Sequence, residues 1–195
     1  MGGLIGGTKE DPDMPRLPDF DVAALNAEQK RIYDAIVSGP RGKVEGPLRV
    51  WLTSPAFAER AQALGAYCRY HTSLPPRLSE LAILVTGAYW RAGFEWFAHA
   101  PIAIAAGLDP AAVEAIRQGV DPTLTNDDER AVYRFSRELI AERRVSQATY
   151  DFAENVLGRS SLVDLVGVLG YYGLISMTIN AFEVPIPAPG KDPFE

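Results

Sequence analysis

The chain has 195 residues, with 19 Lys and Arg against 25 Asp and Glu, for a formal charge of −6. That length suits one domain of about 100–200 residues, and a hydrophobic content of 47% can fill a sizeable core. A pI near 5.0 leaves no cationic surplus for nucleic acid or an anionic membrane, and the single cysteine excludes an internal disulfide and a Cys₄ or Cys₂His₂ zinc site. One thiol fits a reducing, cytoplasmic setting.

Residues 1–24 are rich in Gly, Pro and Asp and read as a flexible N-terminal arm. Their start, Met1-Gly2-Gly3-Leu4-Ile5, lacks the basic residues and sustained apolar run of a signal peptide. Residues 25–184 read as a single helical domain. Asn26-Ala27-Glu28-Gln29 is a capping box, and the apolar spacing carries a helix to about Ser38. Gly39 to Pro47 is a loop, and no Ser or Thr follows Lys43 as a phosphate loop requires. Ser54-Pro55 opens a helix to about Tyr70, and Pro75-Pro76 opens another from Arg77 to about Tyr89. Phe94 to Ala106 is a further apolar helix, ended by Gly107, and Asp109-Pro110 starts a short one to about Gln118.

Asn126-Asp127-Asp128-Glu129 matches a second capping box, which predicts a helix to about Arg143. Ser146 caps a helix to about Leu157, and Ser161-Leu162-Val163-Asp164 caps the last one, to about Phe182. Its 18 residues from Leu165 to Phe182 carry no charge, which touches the lower limit of about 18 for a membrane span. Gly167, Gly170 and Gly173 share one face and admit a close helix neighbour, so the segment is read as a buried core helix. Residues 185–195 form a Pro-rich C-terminal tail. No segment shows strand alternation bounded by hairpin turns, so the fold class is all-α, a bundle of about seven to nine helices.

Two histidines are present, His71 and His99. His71 sits at a helix end and reads as structural or exposed. In Phe94-Glu95-Trp96-Phe97-Ala98-His99, Glu95 and His99 are four residues apart and share a helix face among apolar neighbours. They are either a satisfied core pair or a site, because a buried carboxylate needs a partner. Pro101, two residues on, bends this helix. The preceding helix starts Arg77-Leu78-Ser79-Glu80, where Glu80 has the ordinary place of a first-turn acid. Tyr89, Trp96 and Tyr172 suit either a core or a small organic pocket. Arg77 and Arg91 are candidates to hold a substrate carboxylate.

The run Pro75-Pro76-Arg77-Leu78-Ser79-Glu80, then Glu95-Trp96-Phe97-Ala98-His99, then Gly107, resembles the carboxymuconolactone decarboxylase family, which shares its fold with the alkylhydroperoxidase AhpD. The resemblance covers roughly residues 45–120. It implies an AhpD-like bundle assembled as a homo-trimer or homo-hexamer, and a site in which Glu80 orients or exchanges a proton with His99. The peroxidase branch carries Cys-x-x-Cys just before this histidine. Here those positions are Ala92 and Glu95, which cannot run a thiol–disulfide cycle. The lone Cys68 reads as structural.

The leading expectation is a cofactor-free, metal-free enzyme of the decarboxylase-like branch, working on a small cyclic oxygenated acid or lactone in aromatic compound metabolism. His99 is the expected general acid/base, Glu80 its orienting partner and Glu95 a second carboxylate. Arg77, Trp96, Tyr89 and Tyr172 are the expected substrate contacts. The expected partners are the small-molecule substrate and further copies of the chain, with neither nucleic acid nor membrane. The alternatives are a peroxide-reducing enzyme, disfavoured by the missing cysteine pair, and a non-catalytic oligomeric binding protein.

Overall fold

The computed structural model describes Arg16 and residues 20–195. Much of the arm expected over residues 1–24 therefore lies outside the described residues. Within it, Val22–Ala24 form a single 3₁₀ turn capped by Asp21, and Arg16 pairs with Glu183 at 2.8 Å.

Among the described residues there are nine α-helices and no strand. In chain order they are α1 (Ala27–Ser38), α2 (Pro47–Trp51), α3 (Pro55–Tyr70), α4 (Pro76–Trp90), α5 (Gly93–Ala105), α6 (Pro110–Arg117), α7 (Asp127–Glu142), α8 (Gln147–Leu157) and α9 (Arg159–Phe182). The capping box at Asn26 and Gln29 is fully formed, and Asp109 and Ser146 cap α6 and α8 through their side chains. The one-turn helix α2 was not anticipated, because five residues are too few to show an apolar period.

Three start signals act otherwise than expected. Ser54 makes no side-chain cap bond, and Pro55 at the first position of α3 supplies the start. Asn126 makes none either: Glu129, the fourth member of the box pattern, is drawn to Arg77 of α4. A charge-assisted ion pair outcompetes a neutral cap bond. Asp164 lies inside α9, which already begins at Arg159. Its carboxylate accepts from the Tyr67 hydroxyl and from the Ser73 backbone N–H and hydroxyl, each at 2.7 Å, and so ties α9 to the end of α3. Burial opposes the charge, yet these donors hold the Asp164 carboxyl below its usual range.

The centre of the bundle is α4, buried without a break from Leu78 to Gly87 and packed against α5, α6, α7 and α9. A helix apolar all round has no other stable place. Helix α9 is long and apolar enough by composition to cross a membrane, but Leu165, Val168, Leu169, Ile175 and Ile179 are buried against the other helices. It packs as the core helix expected from its sequence, with Gly167 facing Cys68 of α3, whose sulfur a Cβ there would just touch. Between α4 and α5 the chain turns on Arg91, in the left-handed region at φ 49°, and Ala92. This tight corner packs α5 directly against α4. The tail folds back on the same corner: Phe194 meets the Trp96 ring edge-on at 5.5 Å, and Arg91 and Arg117 donate to the carbonyls of Phe194 and Pro193.

Candidate active site

Glu80 sits one turn into α4, inside its buried run, with 5% of its surface exposed. On α5 the inward face is Glu95, Trp96, His99 and Ala103, at helical spacing. The α4–α5 packing therefore buries two carboxylates and one imidazole together. His99 Nδ1 lies 2.6 Å from Glu80 Oε2, a well-aligned hydrogen bond. His99 Nε2 lies 3.0 Å from Glu95 Oε1, but off the line of an N–H bond, so this buried oxygen has no hydrogen-bond partner. Pro101 sits on the exposed side of α5 and leaves the Phe97 carbonyl without its helical partner, between the pocket-lining residues Phe97 and Ile102.

Burial alone would push the His99 imidazole down. The two carboxylates, Glu95 foremost, outweigh it and hold the imidazole up at about 9. At neutral pH the imidazole between them is therefore an imidazolium.

Glu95 and His99 line a pocket of about 540 Å³. Tyr171 and Tyr172 of α9, Arg41 of the loop before α2, and Arg69 in the last turn of α3 line it as well. The Tyr172 ring meets His99 edge-on at 5.2 Å. Burial, with the Glu95 charge, pushes its hydroxyl well above the usual phenol range, so it stays protonated. Tyr171 accepts from Arg41 Nη2 at 3.2 Å, and burial lifts its hydroxyl to about 12. A second concavity, about 650 Å³ beside α7, is lined by Arg130, Arg134, Arg137 and Glu138. Tyr133 there is bonded to Asp121 and Arg130 to Asp127, so it lacks a buried acid–base pair.

The structure brings together Glu80, Glu95, His99 and Tyr172 from the expected set. The other three stand elsewhere. Arg77 forms ion pairs with Asp128, at 2.7 Å, and Glu129, which fastens α4 to α7. Trp96 is turned beneath Phe194 of the tail, and Tyr89 is 54% exposed beside a shallow groove at the far end of α4. Arg91, the other expected anchor, holds the tail. The cationic side chains that line the pocket are Arg41, Lys43 and Arg69, none of which stands out in the sequence as a ligand contact. Arg69 alone carries a faint signal, lying in the aromatic run Tyr67-Cys68-Arg69-Tyr70. Cys68 is 1% exposed and outside the pocket lining, and burial, helped by the Asp164 charge, pushes its thiol up.

An all-helical bundle holding a buried Glu–His pair on adjacent helices is an AhpD-like architecture. Residues 55–138 match the model of the carboxymuconolactone decarboxylase family, the family that the Glu80…His99 motif resembles. Its fold is shared by an uncharacterized peroxidase-related protein from Silicibacter sp. TM1040, at a TM-score of 0.71 and 15% identity over 94% of this chain and 96% of that one. The debrominase Bmp8, in complex with 2,3,4-tribromopyrrole, aligns at 0.71 and 13% identity over 92% of this chain and 95% of its own. The alkylhydroperoxidase AhpD core protein from Ralstonia eutropha JMP134 aligns at 0.71 and 16% identity, covering 92% and 94%. At such identities the likeness is one of fold. Comparison with curated proteins finds no match.

Proposed function

We propose that this chain is a cofactor-free acid–base enzyme of the decarboxylase-like kind, acting on a small cyclic oxygenated acid or lactone. The observation that carries the reading is the buried imidazole held between two carboxylates, at a pocket that His99 and Glu95 both line. Glu80 keeps the Nδ1 proton in a short, aligned bond and so fixes the ring and its tautomer. The Nε2 proton, loosely placed against Glu95, is the mobile one. It passes to Glu95 and from there to a carbon in the pocket.

In a decarboxylation the C–C bond to the carboxylate breaks, CO₂ leaves, and the electron pair stays on carbon as an enolate. The proton from Glu95 closes that carbon. Neutral His99, with its Nδ1–H still on Glu80, is recharged from water. Run the other way, Glu95 removes a proton next to a carbonyl. Tyr172, which lines the pocket and stays protonated, supports the reading as the donor to the developing oxyanion. His99 and Glu95 are then the catalytic pair and Glu80 a positioning residue. Structural relatives include a debrominase bound to a five-membered ring, which supports a small cyclic ligand.

The peroxide-reducing reading has no support of this kind. Cys68 is buried away from the pocket, and Ala92 and Glu95 stand where the resembled cysteine pair would be.

The test is proton exchange. Cyclic keto acids and lactones are incubated with the protein in D₂O, and NMR reads deuterium uptake next to the carbonyl, with CO₂ release measured in parallel. Exchange or CO₂ release should fall about 10²–10⁴-fold in Glu95→Gln and His99→Gln. Turnover that survives both substitutions would end the acid–base reading.

A further inference from the structure

The chain is acidic overall, yet three basic side chains gather at the pocket, beside Glu45 and Glu95. Arg41, Lys43 and Arg69 all line it. Lys43 is paired with Glu45 at 2.6 Å. Among the described residues, neither Arg41 nor Arg69 has a carboxylate within ion-pair distance. Arg16, Arg31, Arg77, Arg117, Arg130 and Arg159 by contrast each form an ion pair.

Arg41 is held in place with care. It crosses α3 at Gly65, where any Cβ would collide with the Tyr171 hydroxyl and the Arg41 guanidinium. One nitrogen donates to Tyr171, while its buried Nε has no partner. Arg69 lies over the Tyr70 ring at 5.5 Å, a stacking that positions the planar group without consuming its donors. Both charges are felt inside the pocket: Arg41 opposes the rise of the Tyr171 hydroxyl, and Arg69 that of Tyr172. Phe94, Phe97, Ile102 and Ile175 supply an apolar wall to the same cavity. A buried donor left unpaired, as Arg41 Nε is, costs free energy, and the half-buried Arg69 guanidinium keeps its donors free, so the cavity can offer both to an acceptor from outside the chain.

We propose that Arg41 and Arg69 form a carboxylate-binding subsite, so that the pocket takes a small cyclic carboxylic acid in preference to a neutral lactone. A planar guanidinium matches a carboxylate with two parallel N–H bonds, and two of them can bracket one carboxylate or a carboxylate with an adjacent ring oxygen. The apolar wall takes the ring, and about 540 Å³ is ample for it. This deepens the acid–base reading, on which it rests for the role of the pocket. The carboxylate held there is one that the reaction keeps, distinct from any that leaves as CO₂ from the protonated carbon.

Binding is measured by calorimetry with benzoate and furan-2-carboxylate as probes and with benzamide and furan-2-carboxamide as their neutral counterparts. At least one acid should bind the wild-type protein about tenfold or more tighter than its amide. Arg41→Met and Arg69→Met should each weaken the acid about 10- to 100-fold and leave the amide within about threefold. Arg69→Lys, which keeps the charge but not the fork, should fall between. Circular dichroism and the unfolding midpoint check that each variant is folded. The subsite is refuted if neither acid outbinds its amide, or if the preference survives in the folded Arg41→Met/Arg69→Met double variant. Glu95→Gln separates the two claims. It should keep acid binding and lose exchange, so a failure of proton chemistry with carboxylate selectivity intact sinks only the acid–base reading.

Discussion

The charge state of His99 is the quantity most directly set by the geometry. Its folded value of about 9 stands above the ordinary 6.5. A group raised on folding adds stability that is fully present below its unfolded value and is lost as pH rises through its folded one. The window is therefore about pH 6.5 to 9, and the raised value corresponds to about 3 kcal/mol across it. Glu95→Gln removes a charge 3.0 Å from Nε2 while keeping the side chain's shape. Loss of one opposite charge at this range should lower the His99 value by about 1–3 pH units, and the stability at pH 6 by about 1–4 kcal/mol. Long-range ¹H–¹⁵N NMR of the imidazole nitrogens reads the titration directly, and His71→Asn assigns the two rings. Urea unfolding between pH 6 and pH 9 reads the linkage. Proton delivery to a substrate should likewise decline above about pH 9, when the pair is empty. A His99 that titrates at 6.5 or below, or one indifferent to Glu95→Gln, would show that the trio does not hold the shared proton on which the mechanism depends.

Three further outcomes are expected. Arg77→Met leaves the 5%-exposed Glu129 without its cation, which should cost about 2–4 kcal/mol and about 5–15 °C in Tm while leaving kinetics unchanged; altered substrate affinity with unchanged stability would return Arg77 to the site. Cys68→Ser should change no activity, and the wild-type protein should show no dithiol-dependent consumption of peroxide, as a coupled peroxidase assay can read. Val163, Val166 and Met177 lie on one exposed face of α9, at 68%, 47% and 47% exposure, so light scattering should give a multiple of the 21.3 kDa chain, and Val163→Glu/Val166→Glu should reduce it to the protomer. A mass of one chain at micromolar concentration would refute the assembly.

Much of the fold can be read from local signals. Proline at a first helical position, an Asn26–Gln29 box and four-residue apolar spacing all act within one turn, where sequence distance and spatial distance agree. The trio is legible for the same reason: Glu95 and His99 are one turn apart, and Glu80 comes from the helix just before, across the corner at Arg91 and Ala92. What misleads is chemistry decided at long range. Glu129 fits a capping box by pattern, and Arg77 fits a substrate anchor by position, yet each is the other's partner across 52 positions. Asp164 looks like a cap and ties down Ser73, 91 residues away. Nothing in Gly39 to Gly46 announces that Arg41 crosses α3 to meet Tyr171, 130 residues on.

The two halves of the pocket consequently carry different kinds of information. Glu80, Glu95 and His99 all lie within residues 55–138, the segment that matches the family, and their mutual geometry follows from one helix corner. Arg41, Tyr171 and Tyr172 lie outside that segment, on a loop before it and a helix after it. Arg69 and the apolar side chains Phe94, Phe97 and Ile102 join the wall from within. The family match therefore bears on the proton-transfer end and on part of the wall, and not on Arg41, Tyr171 or Tyr172. A loop can change its side chains without disturbing the packing of α4 and α5, because no backbone bond of the corner depends on it. Chains with the same buried trio can thus work on different acids, and one with a neutral residue at the position of Arg41 would be expected to prefer an uncharged ring.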